Sequence, residues 1–427
     1  MVLRSLIVGF SFPQKALKWA LAISMPLFIL GCKTLDKGKL SHPIKQGINF
    51  GEAADNYFQG ILVYDPLKKD TLYRHNSKKY FIPASNTKIF TLFAALKTLP
   101  DKIPSLHYAI QNDTLFMEGT GDPTFLHPYF KDSTFLRFAE PYAHISLSLS
   151  NFKDTKFGPG WAWEDYDRYY HVERSGFPIY GNVVDIHKAD SIQVAPSYFR
   201  DKVLPLKYIK NREWGQNIFY FDPDRKDSLE IPFIVDSTLV KKLLEAALHK
   251  KIHLVPQIPN KEKQTLHSIP SDALYKRMMH ESDNFLAEQL LILISATLSD
   301  TLNSATARAH ITNTYLTGLR QPPKWVDGSG LSRYNLFTPE SMVYVLDAMY
   351  REIPRERLLD LFPAGGVSGT LKNRFGGDGQ AYIFAKSGAM GNTYNLSGYL
   401  MTRSGKTLIF SFMNNHFIQS SQEVRQV

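Results

Sequence analysis

Residues 82–96 read Ile82-Pro83-Ala84-Ser85-Asn86-Thr87-Lys88-Ile89-Phe90-Thr91-Leu92-Phe93-Ala94-Ala95-Leu96. Ile89, Leu92, Phe93 and Leu96 recur at helical spacing, so a helix is expected with Ser85 and Lys88 in its first turn. Upstream, residues 60–64 read as a strand, Asp65-Pro66 opens a turn, and residues 71–75 read as the partner strand. A hairpin therefore delivers the helix. At the other end of the chain, residues 382–388, 395–402 and 407–413 are strand-like, with Ser404-Gly405 turning between the last two. The expectation is one antiparallel sheet of these three strands joined by the N-terminal hairpin.

Between these ends the character changes. Residues 106–260 are rich in aromatics, Gly, Pro and Asp, and read as an inserted domain or pair of subdomains, with a helix near its end at 237–249. Residues 273–298 return to a helical pattern, interrupted at His280-Glu281-Ser282-Asp283-Asn284. Thr338 is a candidate N-cap with Pro339 in the first helical position, and the helix runs to Tyr350. Ser420 and Glu423 have capping-box spacing, so a final helix starts with barely two turns of chain left. The resulting partition is 1–31 signal peptide, 32–48 tether, 49–105 with 261–427 catalytic domain, and 106–260 insertion.

A hydrophobic fraction of 44% against 21% charged residues calls for a packed core and excludes a disordered chain. The net charge of +10 is spread over 427 residues without a run of five Lys/Arg, and no nucleic-acid motif is present, so no nucleic-acid partner is expected. The one cysteine, Cys32, excludes an intrachain disulfide. It follows Arg4, Lys15 and Lys18 and the charge-free stretch 19–30, which is shorter than the ~20 residues a membrane span needs and suits a signal-peptide core. Ile29-Leu30-Gly31-Cys32 resembles the lipobox of bacterial lipoproteins. That resemblance implies cleavage before Cys32, lipidation of Cys32 and a membrane anchor. With Lys33 next, it points to the outer membrane, facing the periplasm.

Three short motifs stand in order: Ser85-Asn86-Thr87-Lys88 (S-x-x-K), Ser282-Asp283-Asn284 (S-D-N) and Lys386-Ser387-Gly388 (K-S-G in place of K-T-G). Each is weak alone; Ser150-Asn151-Phe152-Lys153 also fits the first. Positions i and i+3 are neighbours on a helix, so Ser85 and Lys88 can share a proton. A serine hydroxyl needs a base, and a lysine becomes one only when burial or a nearby cation such as Lys386 disfavours its charge. The backbone N–H groups of Ser85 and Ala389 can form an oxyanion hole. Ser282 can relay the proton to the leaving amine, Asn284 can hold the substrate peptide, and Lys386 with Ser387 suits a substrate carboxylate. The plain structural alternatives are an N-cap and a solvated lysine at 85 and 88, a capping loop at 282–284, and an edge-strand lysine at 386. No cofactor and no metal is called for, and none of the 13 His forms an H-E-x-x-H pair.

With their flanks, these residues resemble the low-molecular-mass class C penicillin-binding proteins, D-alanyl-D-alanine carboxypeptidases and endopeptidases. The resemblance spans 57–420 and includes Pro83-Ala84-Ser85, Gly119-Thr120-Gly121-Asp122-Pro123, Gly158-Pro159-Gly160-Trp161, Asp327-Gly328-Ser329-Gly330, Gly369-Thr370-Leu371 and Met413-Asn414-Asn415. It implies an α/β chain of the α+β type with the penicilloyl-transferase (serine β-lactamase-like) fold, a five-stranded antiparallel sheet flanked by helices, carrying a large insertion. It also implies peptidoglycan stem peptides as substrate and acylation by β-lactam antibiotics. Three departures stand out: Ser387 replaces the commoner Thr, Ala389 lacks a hydroxyl often found there, and the C-terminal helix is short. The rival readings are a non-catalytic β-lactam sensor or cell-wall binder, and a β-lactamase, for which no deacylating Glu motif is visible between Ser282 and Lys386.

Overall fold

The computed structural model describes residues 57–425 except 260–262 and 378. The leader, Cys32 and the tether lie outside the described residues. Strands β1 (Phe58–Asp65) and β2 (Asp70–His75) form the expected hairpin, with Asp65 Oδ1 accepting from the N–H groups of Leu67 and Lys68 across the turn. A 3-10 turn at Ala84–Asn86 then enters helix α1 (Thr87–Thr98). Ser85 thus sits just before the α-helix, while Lys88 is its second residue.

The segment that follows builds β3 (Lys102–Gln111), β4 (Thr114–Gly119), α2 (Thr134–Ala139) and β5 (His144–Ser148). Next come β6 (Val183–Lys188), β7 (Ile192–Ala195), β8 (Val203–Leu204), β9 (Phe219–Tyr220) and β10 (Leu229–Pro232). It ends with α3 (Ser237–Leu248), β11 (Ile252–Leu254) and β12 (Gln264–Pro270). A mixed sheet in the order β11-β5-β4-β3-β12 and an antiparallel one in the order β10-β6-β7 enclose their own apolar core, including Leu115, Ile145, Phe199, Phe233 and Leu243. These sheets begin at Lys102 and end at Pro270.

The chain then returns through α4 (Ser271–His280), α5 (Asn284–Leu298), α6 (Ser304–Tyr315), α7 (Pro339–Glu352) and α8 (Arg355–Asp360) to β13 (Ile383–Met390), β14 (Thr393–Met401), β15 (Thr407–Asn415) and the four-residue α9 (Ser421–Val424). The order β13-β14-β15-β1-β2 makes the five-stranded antiparallel sheet. Side chains alternate across it: Leu62 faces the main helical core, while Ile61 and Val63 face a second cluster with Ile383, Leu396 and Phe410. Helices α1 and α5 are buried all round, over Thr87–Ala95 and Phe285–Ser295, because they lie at the centre of the helical layer and touch each other.

Helix α7 docks on β15. Its buried start is closed reciprocally: Thr338 Oγ1 accepts from Ser341 N–H at 2.9 Å and Ser341 Oγ accepts from Thr338 N–H at 3.0 Å. Replacing Thr338 with Ala is expected to cost about 1 kcal/mol of stability, read as a lowered urea midpoint, with Thr338→Ser retaining most of it. An unchanged midpoint in the alanine variant would show that this cap does not support the helix.

Candidate active site

The peptide Ile82-Pro83-Ala84 approaches the site under firm restraint. Asn415 Oδ1 accepts from Ile82 N–H at 2.6 Å, and Asn395 Nδ2 donates to the Ile82 and Pro83 carbonyls at 2.9 and 2.8 Å. Two strands of the sheet therefore fix where Ser85 begins. Ala84 is held at φ 46°, a left-handed conformation that a non-glycine residue rarely adopts. Its carbonyl sits against Gly330 (φ 85°), where a Cβ would overlap it, so that glycine is needed for the close approach.

Lys88 is wholly buried. Its Nζ donates to Ser85 Oγ at 3.1 Å, Asn284 Oδ1 at 2.7 Å and the Ser329 carbonyl at 2.8 Å. Burial pushes its pKa down, while Asp283, Glu288 and Asp327 oppose that, leaving it at about 8. Asn284 opens α5, and its Nδ2 donates to the Tyr170 carbonyl at 3.0 Å. Asp283 caps the same helix by accepting from Leu286 N–H. Ser282 lies between α4 and α5 at φ 59°, a second strained non-glycine position beside the nucleophile, and lines the same cleft as Ser85.

The third motif arrives on β13. Gly388 runs so close to the turn before α1 that a Cβ there would lie 2.9 Å from Asn86 N. Lys386 is also wholly buried, and its Nζ donates to the Ser387 carbonyl at 2.7 Å. Burial, then the charge on Lys88, lowers its pKa well below that of a free lysine. Repulsion between two amines is mutual, but the three carboxylates around Lys88 favour charge there over Lys386. Ser387 Oγ meets Thr370 Oγ1 at 3.0 Å, and Ala389 lies open on the cleft. The cleft encloses about 680 Å³. Ser85, Ser282, Asn284 and Ala389 thus line one opening, with Thr370, the partner of Ser387, beside them; Lys386, Ser387 and Gly388 do not line it, and neither does Ser150 of the second S-x-x-K match, which donates to the Pro256 carbonyl.

Three contributors escaped sequence reasoning. The Ser329 carbonyl holds Lys88, Thr370 holds Ser387, and Glu288 accepts from Ser329 N–H at 2.7 Å from a fully buried position. The tight Asp327-Gly328-Ser329-Gly330 turn was the available signal. Asp327 closes it by accepting from Gly330 and Ser332 N–H, and Gly328 lies where a Cβ would overlap the Ala287 carbonyl.

The model of the D-Ala-D-Ala carboxypeptidase 3 (S13) family matches residues 48–193 and 235–427. The chain is 23% identical to the D-alanyl-D-alanine carboxypeptidase DacB of Haemophilus influenzae, over 93% of this chain and 91% of that protein. It is 31% identical to the carboxypeptidase DacB of Mycolicibacterium smegmatis over 41% of each. Among solved structures it resembles penicillin binding protein 4 (dacB) from Haemophilus influenzae, with a TM-score of 0.70, 20% identity and coverage of 87% of this chain and 94% of that one. The same protein complexed with a β-lactam aligns with a TM-score of 0.65 at 19% identity. The sheet order agrees with the penicilloyl-transferase-like fold that the family resemblance implied. With most of its length matched, on both sides of the segment 194–234, this chain belongs to the D-Ala-D-Ala carboxypeptidase 3 (S13) family.

Proposed function

We propose that the protein is a serine DD-peptidase, a D-Ala-D-Ala carboxypeptidase/endopeptidase that cleaves peptidoglycan stem peptides through an acyl-enzyme and is acylated by β-lactams. The observation that carries this is a fully buried amine, Lys88 Nζ, 3.1 Å from Ser85 Oγ, with burial lowering its pKa to about 8. Neutral Lys88 takes the seryl proton as Ser85 Oγ attacks the penultimate D-Ala carbonyl. The developing oxyanion is received by the N–H groups of Ser85 and Ala389. Ser282 passes the proton to the leaving amine, and Asn284 holds the acyl peptide. Lys386 and Ser387 bind the terminal carboxylate, whose charge favours the protonated form of Lys386. That cation in turn favours neutral Lys88, so substrate binding itself primes the base. Water then hydrolyses the ester.

A lipid anchor at Cys32 and a periplasmic face of the outer membrane complete the proposal, supported by the apolar stretch before Ile29-Leu30-Gly31-Cys32. Mass spectrometry of the membrane-extracted protein should find diacylglycerol on an N-terminal Cys32; an unmodified N-terminus elsewhere would refute the anchor.

Arg cannot lose its proton, so Lys88→Arg should reduce formation of the penicilloyl-Ser85 adduct by at least ~100-fold. An undiminished adduct in that variant would remove Lys88 as the base. The sign of the pH dependence follows from the same group. Lys88 is surrounded by Ser85, Asn284 and the Ser329 carbonyl, with Asp283, Glu288, Asp327 and Lys386 as the charged neighbours. Because the neutral amine is the active form, acylation should rise by up to about tenfold per pH unit toward pH 8, and because the carboxylate needs the Lys386 cation, whose pKa is lowered, it should fall again at more alkaline pH. A rate that falls with rising pH below 8 would contradict the assignment. Release of D-alanine from a peptide ending in D-Ala-D-Ala, with slow penicillin turnover, distinguishes the peptidase from a sensor and from a β-lactamase.

A further inference from the structure

Residues 194–234, which the family model does not match, add a surface to the rim of the cleft. Within them Trp214 is 59% exposed, and it packs edge-on at 5.7 Å against Trp163, which is 71% exposed. Trp163 belongs to the 160–170 stretch, whose Gly160, Ala162, Asp165, Tyr169 and Tyr170 line the cleft. Tyr169 is itself 67% exposed. Asn284 Nδ2 donates to the Tyr170 carbonyl, so this rim stands beside the residue that holds the acyl peptide. An aromatic surface thus continues outward from the acyl side of the cleft.

The rings are exposed but firmly held. Tyr166 meets Trp214 edge-on at 4.7 Å, and its hydroxyl donates to the Arg212 carbonyl at 2.8 Å. Asn211 N–H donates to Asp167 Oδ2 at 2.6 Å, Lys210 Nζ to the Glu164 carbonyl at 2.6 Å and Arg212 Nη2 to the Tyr166 carbonyl at 3.2 Å. These bonds pin the stretch around Trp214 to the stretch around Trp163. Rigid aromatic side chains open to solvent offer large contact area at little entropic cost, and a cluster of exposed apolar surface marks a binding site. The same bonds turn Lys210 and Arg212 toward the protein, while Glu164 and Gln216 stay exposed next to the two tryptophans in the chain. Flat rings bordered by an acid and an amide suit a neutral sugar: the C–H face of the pyranose lies on a ring, and its hydroxyl and acetamide groups meet the polar border. An anionic lipid surface would call for outward cations at the same place.

We infer that Trp163, Trp214 and Tyr169 form a platform for the glycan strand that carries the stem peptide being cleaved. The inference rests on the acyl-transfer reading above. The acyl half of a stem peptide leads back to its sugar, and three or four residues span at most about 10–14 Å. A peptide held by Asn284 brings its sugar within reach of the rim at Tyr169 and Tyr170, where the exposed rings stand. Binding the strand raises the local concentration of the stem peptides attached to it, so polymeric wall is favoured over free peptide.

The test measures D-alanine release by the full-length protein, per pentapeptide, from glycan strands that carry pentapeptides without cross-links and from the free pentapeptide. The wild type should favour the strands about tenfold in kcat/KM, and Trp163→Ala and Trp214→Ala should each bring that ratio close to one, mainly through KM on the strands, while Trp214→Tyr keeps most of it. Protein already acylated by penicillin should still bind the strands, and either alanine variant should bind them about tenfold more weakly. A wild-type ratio of one or less, or an unchanged ratio in both alanine variants, overturns the platform. So does a loss in the variants of binding to anionic phospholipid vesicles with strand binding intact. If Trp214→Ala misfolds and takes up no penicillin, Trp163→Ala decides. Absence of any penicillin adduct in the wild type overturns the acyl-transfer reading, and strand binding then decides the platform by itself.

Discussion

An ammonium group taken out of water loses its hydration, and most of this site exists to manage that loss at Lys88. Each of its three contacts is an oxygen that is neutral rather than anionic: a hydroxyl, an amide oxygen and a backbone carbonyl. Such partners serve the neutral amine and the charged one alike, so neither form is locked. A carboxylate in direct contact would have fixed the charge and ended its use as a base. The acids that matter electrostatically, Asp283, Glu288 and Asp327, are each occupied by backbone N–H groups, of Leu286, of Ser329, and of Gly330 and Ser332.

One of these acids ties the insertion to the chemistry. Glu288 is fully buried on α5, and its second carboxylate oxygen lies 3.6 Å from Nη1 of the equally buried Arg174. Arg174 also donates to Ser304 Oγ at 3.0 Å and approaches Asp154 at 3.6 Å. Burying these charges is costly unless all are paired, so the segment that carries Arg174 and Asp154 is held to α5 and α6 by more than its apolar contacts. Through Ser329, which accepts from Lys88 and donates to Glu288, this charge network lies one residue from the base.

Much of this was readable in advance because it depended on local pattern. The hairpin, the helix after Ser85, the Thr338 cap and the C-terminal strands follow from periodicity and turn residues, and the structure shifts their ends by only a few positions. Helices α6 and α8 were not foreseen: α6 buries only Ser304, Ala307 and Ile311, too weak a stripe to stand out, and α8 is a six-residue piece. The arrangement of the 102–270 sheets was also hidden, because strands β4, β5 and β11 pair in parallel across long connections and no local signal encodes such pairing. At the site, the residues that react were legible from the three motifs. Their supports were legible only in part: the Asp327-Gly328-Ser329-Gly330 turn shows in residue type, but the contact of its Ser329 carbonyl with Lys88 and the left-handed Ala84 do not.

The order of the five-stranded sheet has a temporal consequence. Strand β1 is formed from the earliest described residues, yet its inner neighbour is β15, which ends at Asn415, the residue that also grips Ile82. A partly synthesised chain can close the β1–β2 hairpin. It cannot seat the turn bearing the nucleophile until the residues up to Asn415 are available. Such long-range closure is slow to form. Reactivity is thereby withheld from any copy that lacks β15, and the acyl-transfer site forms only as the sheet closes.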